Sequence, residues 1–155
     1  MERLRVLLAD DQPQILNLLQ TLLEPDYQVV GKVENGQALV AAALALRPDV
    51  VLTDVDMPIL NGIDATRELH KSLPDCRVIF HSGHGEPEIM AAAFAAGASG
   101  YLIKGSSQSL ISSIRTVVRH VCKSEEPLEA GRATGYRVPR NDQTQPRASL
   151  SVRKV

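Results

Sequence analysis

Apolar residues arrive in short runs separated by stretches of helical spacing, and the alternation repeats five times along the chain. Residues 4–8, LRVLL, form a first run that stops at Asp10 and Asp11, and Pro13 stands where the first turn of a helix accepts it. Ile15, Leu18, Leu19, Leu22 and Leu23 then recur at helical spacing, YQVVGKV at 27–33 reads as a strand, and Asn35 is placed to cap an alanine-rich helix through residue 46. The cycle continues with strands at 49–53, 77–80 and 101–103 and with helices at 63–73, 87–96 and from about 107 to 121. Pro74 ends the third helix and Gly97 closes the fourth. The last helix carries Leu110, Ile111, Ile114, Val117, Val118 and Val121 on one face.

Short apolar strands alternating with helices predict a parallel sheet covered on both faces, a doubly wound α/β fold with five strands. Ligands of such sheets collect beyond the carboxyl ends of the strands. There the sequence places Asp10 and Asp11 after strand one, Asp54 after strand three, Ser82 after strand four and Lys104 after strand five. From residue 122 the period vanishes, and prolines at 127, 139 and 146 punctuate a polar segment. The expected organisation is one domain over 1–121 and a tail over 122–155. From residue 127 that tail holds six Arg or Lys against two acids, a net of +4, and its composition favours disorder.

Composition narrows the function classes. A chain of 155 residues can bury a real core. Net charge of -1 and 3% aromatics argue against a surface built for polyanions or for stacking bases. Cys76 and Cys122 are isolated, with no metal-ligand spacing around them, and are expected as reduced thiols of a cytoplasmic protein. The longest apolar segment, residues 38–46, is too short to span a membrane.

Three carboxylates gathered at one sheet edge repel, by roughly 4 kcal/mol per close pair at an effective dielectric near 20. A divalent cation relieves this, and oxygen-only ligands without His or Cys favour Mg²⁺ over zinc. A carboxylate beside Mg²⁺, a lysine and a hydroxyl suits phosphoryl transfer, with Asp54 as nucleophile, Lys104 as the cation for phosphoryl oxygens and Ser82 as hydrogen-bond donor beside an unobstructed Gly83. Plainer roles remain open for each alone: Asp11 as a helix cap before Pro13, Ser82 as a turn residue, Lys104 as a solvated strand end.

An acidic pair after strand one (Asp10, Asp11), an Asp followed by xxMP (Asp54 to Pro58), Ser82 followed by Gly83, and YxxK from Tyr101 to Lys104 together resemble the receiver domain of bacterial two-component response regulators, over residues 3 to about 121. The resemblance implies the flavodoxin-like receiver fold and an Asp54 that accepts phosphate from a sensor histidine kinase or a phosphotransfer protein. It implies Mg²⁺ held by Asp11, Asp54 and the backbone carbonyl of Asp56, with Asp10 helping through water. Ser82 and Tyr101 become switch residues, read out by an unidentified downstream protein on the surface of helix four, strand five and helix five. Such a protein is not an enzyme beyond self-phosphorylation and slow autodephosphorylation, and a homodimer is compatible with it. The side chains of Asp56 and His84 flank the path of the attacking water and are expected to tune phosphate lifetime. His70 and His120 fall on polar helix sides, His81 alternates away from the site if strand four reaches it, and none of the three is given chemistry.

Two features depart from the pattern. Gly105 stands where receivers often carry Pro, and the following SSQSLISSIRTVVRH resembles regulators of the LuxR type, whose helix-turn-helix pattern is not found after it. A stand-alone receiver and a truncated transcription factor are both compatible, and sequence-specific DNA binding is not expected. A haloacid-dehalogenase-like phosphatase is the rival from another class, because DVD mimics its Asp-x-Asp pair, but there the pair follows the first strand.

Overall fold

The computed structural model describes residues 3–105 and 110–123. The last helix runs to Lys123, two residues into the expected tail of 122–155; the rest of that tail, the Cys122 side chain and the predicted start of the last helix near 107 lie outside the described residues. The elements are β1 (Arg5–Ala9), α1 (Pro13–Leu23), β2 (Gln28–Val33), α2 (Gly36–Leu46), β3 (Val50–Thr53), α3 (Gly62–Ser72), β4 (Arg77–Ser82), α4 (Pro87–Ala95), β5 (Gly100–Ile103) and α5 (Leu110–Lys123). All four strand pairings are parallel, in the order β2-β1-β3-β4-β5. This is the flavodoxin-like doubly wound sheet that the pattern predicts.

Strand alternation builds two cores. Leu7, Ala9, Val51, Val78, Phe80 and Tyr101 face α2, α3 and α4, while Val6, Leu8, Val50, Leu52, Ile79 and Leu102 face α1 and α5. Burying both faces of every central strand explains why the strands read as continuous apolar runs. Pro13 and Pro87 open α1 and α4 at positions that need no amide hydrogen. Asn35 Oδ1 accepts from Ala38 N at 2.7 Å, as expected, and Asn61, not anticipated as a cap, accepts from Asp64 N at 2.8 Å. Asp11 does not cap α1: Gln12 occupies the cap position, and Asp10 Oδ1 accepts from Gln12 N at 2.9 Å.

Two expectations are corrected. Strand β4 runs to Ser82, two residues beyond the predicted end, so His81 is a strand residue on the face opposite Ser82. His70 is not on a solvated helix side: its ring is half-buried, with Nε2 2.9 Å from Cys76 O and Nδ1 3.3 Å from Ala96 O. Gly97, at φ 111°, makes this possible, because a Cβ there would sit 2.3 Å from His70 Nδ1. No described helix is long and apolar enough to cross a membrane.

Candidate functional site

The site is assembled by the sheet. Ala9 pairs with Thr53, so the next residues of β1 and β3 emerge side by side at the carboxyl edge. Backbone bonds fix both: Asp54 N donates to Ala9 O at 2.9 Å and Asp10 N to Val33 O at 3.1 Å. Asp10 and Asp54 are buried, at 1% and 7% exposure, whereas Asp11 is exposed. Carboxylate oxygens of all three lie within 4.8 Å of one another. Lys104 reaches in from the end of β5, its backbone N bonded to Ser82 O at 2.7 Å, and its Nζ contacts Asp10 Oδ2 at 2.9 Å and Asp54 Oδ2 at 3.0 Å. The other oxygen of Asp54 accepts from Val55 N at 2.7 Å.

Three acids against one ammonium leave a formal charge of -2 in this cluster. The electrostatics register the excess. Lost hydration, and then repulsion from Asp10 and Asp54, holds the Asp11 carboxyl above the usual carboxylate range. Burial alone would lower the Lys104 ammonium, but its bonds to Asp10 and Asp54 outweigh that and hold it above the ordinary lysine value. Hard oxygen donors with uncompensated negative charge fit a divalent cation such as Mg²⁺.

The loop after β3 is built under constraint. A Cβ on Gly62 would lie 2.0 Å from Asp54 O, and Gly62 N donates to Val55 O at 2.8 Å, so only glycine lets α3 begin directly against the acid-bearing turn. Leu60 N bonds back to Pro58 O at 2.8 Å across Ile59, whose φ of 71° gives a tight three-residue turn of a strained kind. Ile59 is 75% exposed.

A second cluster adjoins the acids. Ser82 is fully buried, and its Oγ accepts from His84 N at 3.2 Å. The His84 ring lies between two carboxylates, with Nε2 against Asp56 Oδ2 and Nδ1 3.2 Å from Glu86 Oε2. The bond to Asp56 is the main cause that raises the imidazole above its ordinary value, and in its protonated form the ring donates to both acids. Tyr101 is fully buried against Phe80 and Phe94, and its hydroxyl donates to His84 O at 2.6 Å. Nothing lies within 4 Å of a Cβ built on Gly83.

Asp10, Asp11, Asp54 and Lys104 therefore meet as the sequence suggests, and Ser82, Tyr101, Asp56 and His84 share the neighbouring cluster. Glu86 was missed; the only signal for it was an acid two residues beyond His84. His81 is buried without chemistry at the acids. The Asp56 backbone carbonyl belongs to the β3–α3 loop beside Asp54.

The family model of the response regulator receiver domain matches residues 6–115. The chain is 37% identical over 100 residues to the chemotaxis protein CheY of Halobacterium salinarum, covering 64% of this chain and 83% of that one. It is 32% identical over 120 residues to the transcriptional regulatory protein DegU of Brevibacillus brevis, covering 76% of this chain and 51% of that one. The chain spans about half the length of such regulators, 56% for YxjL of Bacillus subtilis and 53% for LnrK. Among solved structures, a LuxR-family two-component response regulator from Aurantimonas sp. SI85-9A1 superimposes with a TM-score of 0.70 at 29% identity, covering 76% of this chain and 86% of that one. The response regulator domain of Thermotoga maritima CheB gives 0.67 at 29% identity, covering 77% and 97%.

Proposed function

Because the chain belongs to the family of response regulator receiver domains, we propose that it is the phosphoacceptor of a two-component phosphorelay and that Asp54 is the residue modified. The observation that carries this reading is Lys104 Nζ bridging Asp10 and Asp54 at 2.9 and 3.0 Å in an acid cluster that still holds excess negative charge.

An Asp54 oxygen bonds to phosphorus as the bond to the donor's leaving atom breaks, and the leaving group departs with its electron pair. The donor is a phosphohistidine on a sensor histidine kinase or a phosphotransfer protein. Mg²⁺, when bound, supplies positive charge for the phosphoryl oxygens; Asp10, Asp11 and Asp54 would hold it together with the Asp56 backbone carbonyl. Lys104 supplies the second positive charge from a position already against Asp54. Ser82 Oγ now accepts from His84 N; rotation about χ1 lets its hydroxyl donate to a phosphoryl oxygen instead. That change frees the His84 amide, and the Tyr101 hydroxyl on His84 O carries the disturbance to β5. The surface of α4, β5 and α5 is the readout for a downstream protein. The chain turns over no substrate; it phosphorylates and slowly dephosphorylates itself.

The His84 ring clasped to Asp56 links the two loops that flank Asp54. We read both side chains as flanking the approach of a hydrolytic water and so setting phosphate lifetime, a reading that the clasp supports. Replacing each by Ala and timing dephosphorylation tests this, and unchanged half-lives overturn it. The match to the receiver half of transcriptional regulators supports a second reading of the output, in which the receiver is that of a transcriptional response regulator.

Acetyl phosphate with Mg²⁺, followed by intact mass measurement, tests the central reading. Wild type gains one phosphoryl group that is acid-stable and base-labile, and Asp54→Asn gains none. Labelling of Asp54→Asn, or steady turnover of a generic phosphate monoester, overturns it.

A further inference from the structure

Among the described glycines, only Gly83 and Gly85 have neither a close neighbour nor a positive φ to account for them. A Cβ would meet nothing within 4 Å at Gly83 and only Ile103 Cδ1, at 3.5 Å, at Gly85. Sterics do not ask for glycine at either place, so what these two contribute is backbone freedom. They flank His84 in the run SGHGE, residues 82–86, that joins the end of β4 to the start of α4. The covalent path from Ser82 to α4 is a soft joint on each side of His84.

Four bonds nevertheless fix His84. Its N donates to Ser82 Oγ at 3.2 Å and its O accepts from the Tyr101 hydroxyl at 2.6 Å. Its ring meets Asp56 Oδ2 through Nε2 and Glu86 Oε2 through Nδ1, the latter at 3.2 Å. These bonds supply the stiffness that the backbone lacks. Glu86 stands at the cap position of α4, yet its carboxylate makes no cap bond; it turns back across Gly85 to the ring instead. Tyr101 connects His84 to β5, and Glu86 is the matching connection to α4.

We propose that Glu86 is a positioning residue: by bonding the His84 ring across Gly85 it stiffens the joint, so that α4 moves with His84 when Ser82 leaves the His84 amide. Glu86 acts through His84 and not on the reacting atoms. The coupling rests on the receiver reading; the stiffening of the joint does not.

Amide ¹⁵N relaxation of the unphosphorylated protein reads the joint on the ps–ns scale. Glu86 is exposed, so its variants leave the core intact. Gly85 is as ordered as α4 in wild type and in Glu86→Gln, whose amide oxygen still accepts from the ring, and becomes mobile in Glu86→Ala. Equal order at Gly85 in wild type and Glu86→Ala overturns the stiffening. Acetyl phosphate with Mg²⁺ tests the coupling, at equal labelling verified by intact mass. Phosphorylation shifts the methyl resonances of Ile89 and Met90 on α4 and of Leu102 and Ile103 on β5. Glu86→Ala keeps the β5 shifts and loses most of those on α4, whereas Glu86→Gln keeps both. Adding Gly85→Ala to Glu86→Ala recovers part of the α4 shifts, because alanine restricts the same stretch of backbone. Shifts of wild-type size on α4 in Glu86→Ala, or no recovery with Gly85→Ala, overturn the coupling. A wild type that takes no label defeats the receiver reading, while the order at Gly85 still decides the joint.

Discussion

The two ends of the sheet solve their electrostatics in opposite ways. At the amino end, side chains meet backbone carbonyls: Arg5 Nη1 donates to Leu46 O and Arg47 O at 2.7 and 2.9 Å, where α2 ends, and His70 faces Ala96 O where α4 ends. Asp49 accepts from Arg5 N at 2.8 Å. The Arg5 contacts place positive charge on the C-terminus of α2, and together these bonds satisfy donors and acceptors from within the fold. At the carboxyl end three acids share one ammonium. The contrast teaches that one pole is finished by folding and the other keeps an excess of negative charge.

Lys104→Met gives the largest expected effect at the unfinished pole. Labelling by acetyl phosphate slows by about 100-fold or more, and the thermal midpoint in chelator drops because buried Asp10 loses its counter-ion. Mg²⁺ then raises the midpoint more than in wild type; an equal rise in both would break the contrast. Next comes pH. His81 binds its proton only near pH 4 when folded but near 6.5 when unfolded, so the unfolded chain takes up more protons between these values. Stability is full above 6.5 and falls by up to about 3 kcal/mol as pH drops to 4. Urea midpoints of wild type against His81→Leu isolate this slope from that of the carboxylates, and identical slopes would refute it.

His70→Ala probes the finished pole. It costs about 1–2 kcal/mol in urea unfolding and leaves the rate of acetyl phosphate labelling unchanged; a slowed rate would mean that the two ends are not separable. Ile59→Gly gives the smallest effect. Relief of the left-handed conformation raises stability by about 1 kcal/mol or less, part of it offset by the added freedom of the unfolded chain. A loss of stability would show that exposed Ile59 packs where the structure leaves it open to solvent.

Most of the architecture was legible because one rule of period decides it. Leu19 and Leu23 of α1 are buried as their helical spacing suggests, although Leu18 of the expected face is 47% exposed and Leu16, not among the expected positions, is buried instead; the uniform apolar run of Val50 to Leu52 is buried on both sides. The acids were legible for the same reason, since a parallel sheet sends all its strand ends to one edge. What sequence did not give depends on contacts between loops distant along the chain. The end of β4 was misjudged because His81 and Ser82 are polar and look like loop residues, yet both are buried in the strand. His70 looked solvated because nothing near it foretells that Gly97 will make room for its ring. The clasp of His84 with Asp56 and Glu86 joins residues from two loops, and no local period encodes that approach.

The order of the strands has one more consequence. Asp10 and Asp54 follow β1 and β3, each of which is hydrogen-bonded to a neighbour on both sides, whereas Lys104 follows β5, which is bonded only to β4. Fraying of the outermost ribbon would therefore withdraw the counter-ion while leaving its acidic clients in register. Amide exchange at Leu102 and Ile103 should run ahead of that at Leu8 and Leu52, making the cation's mooring the first part of the site to breathe.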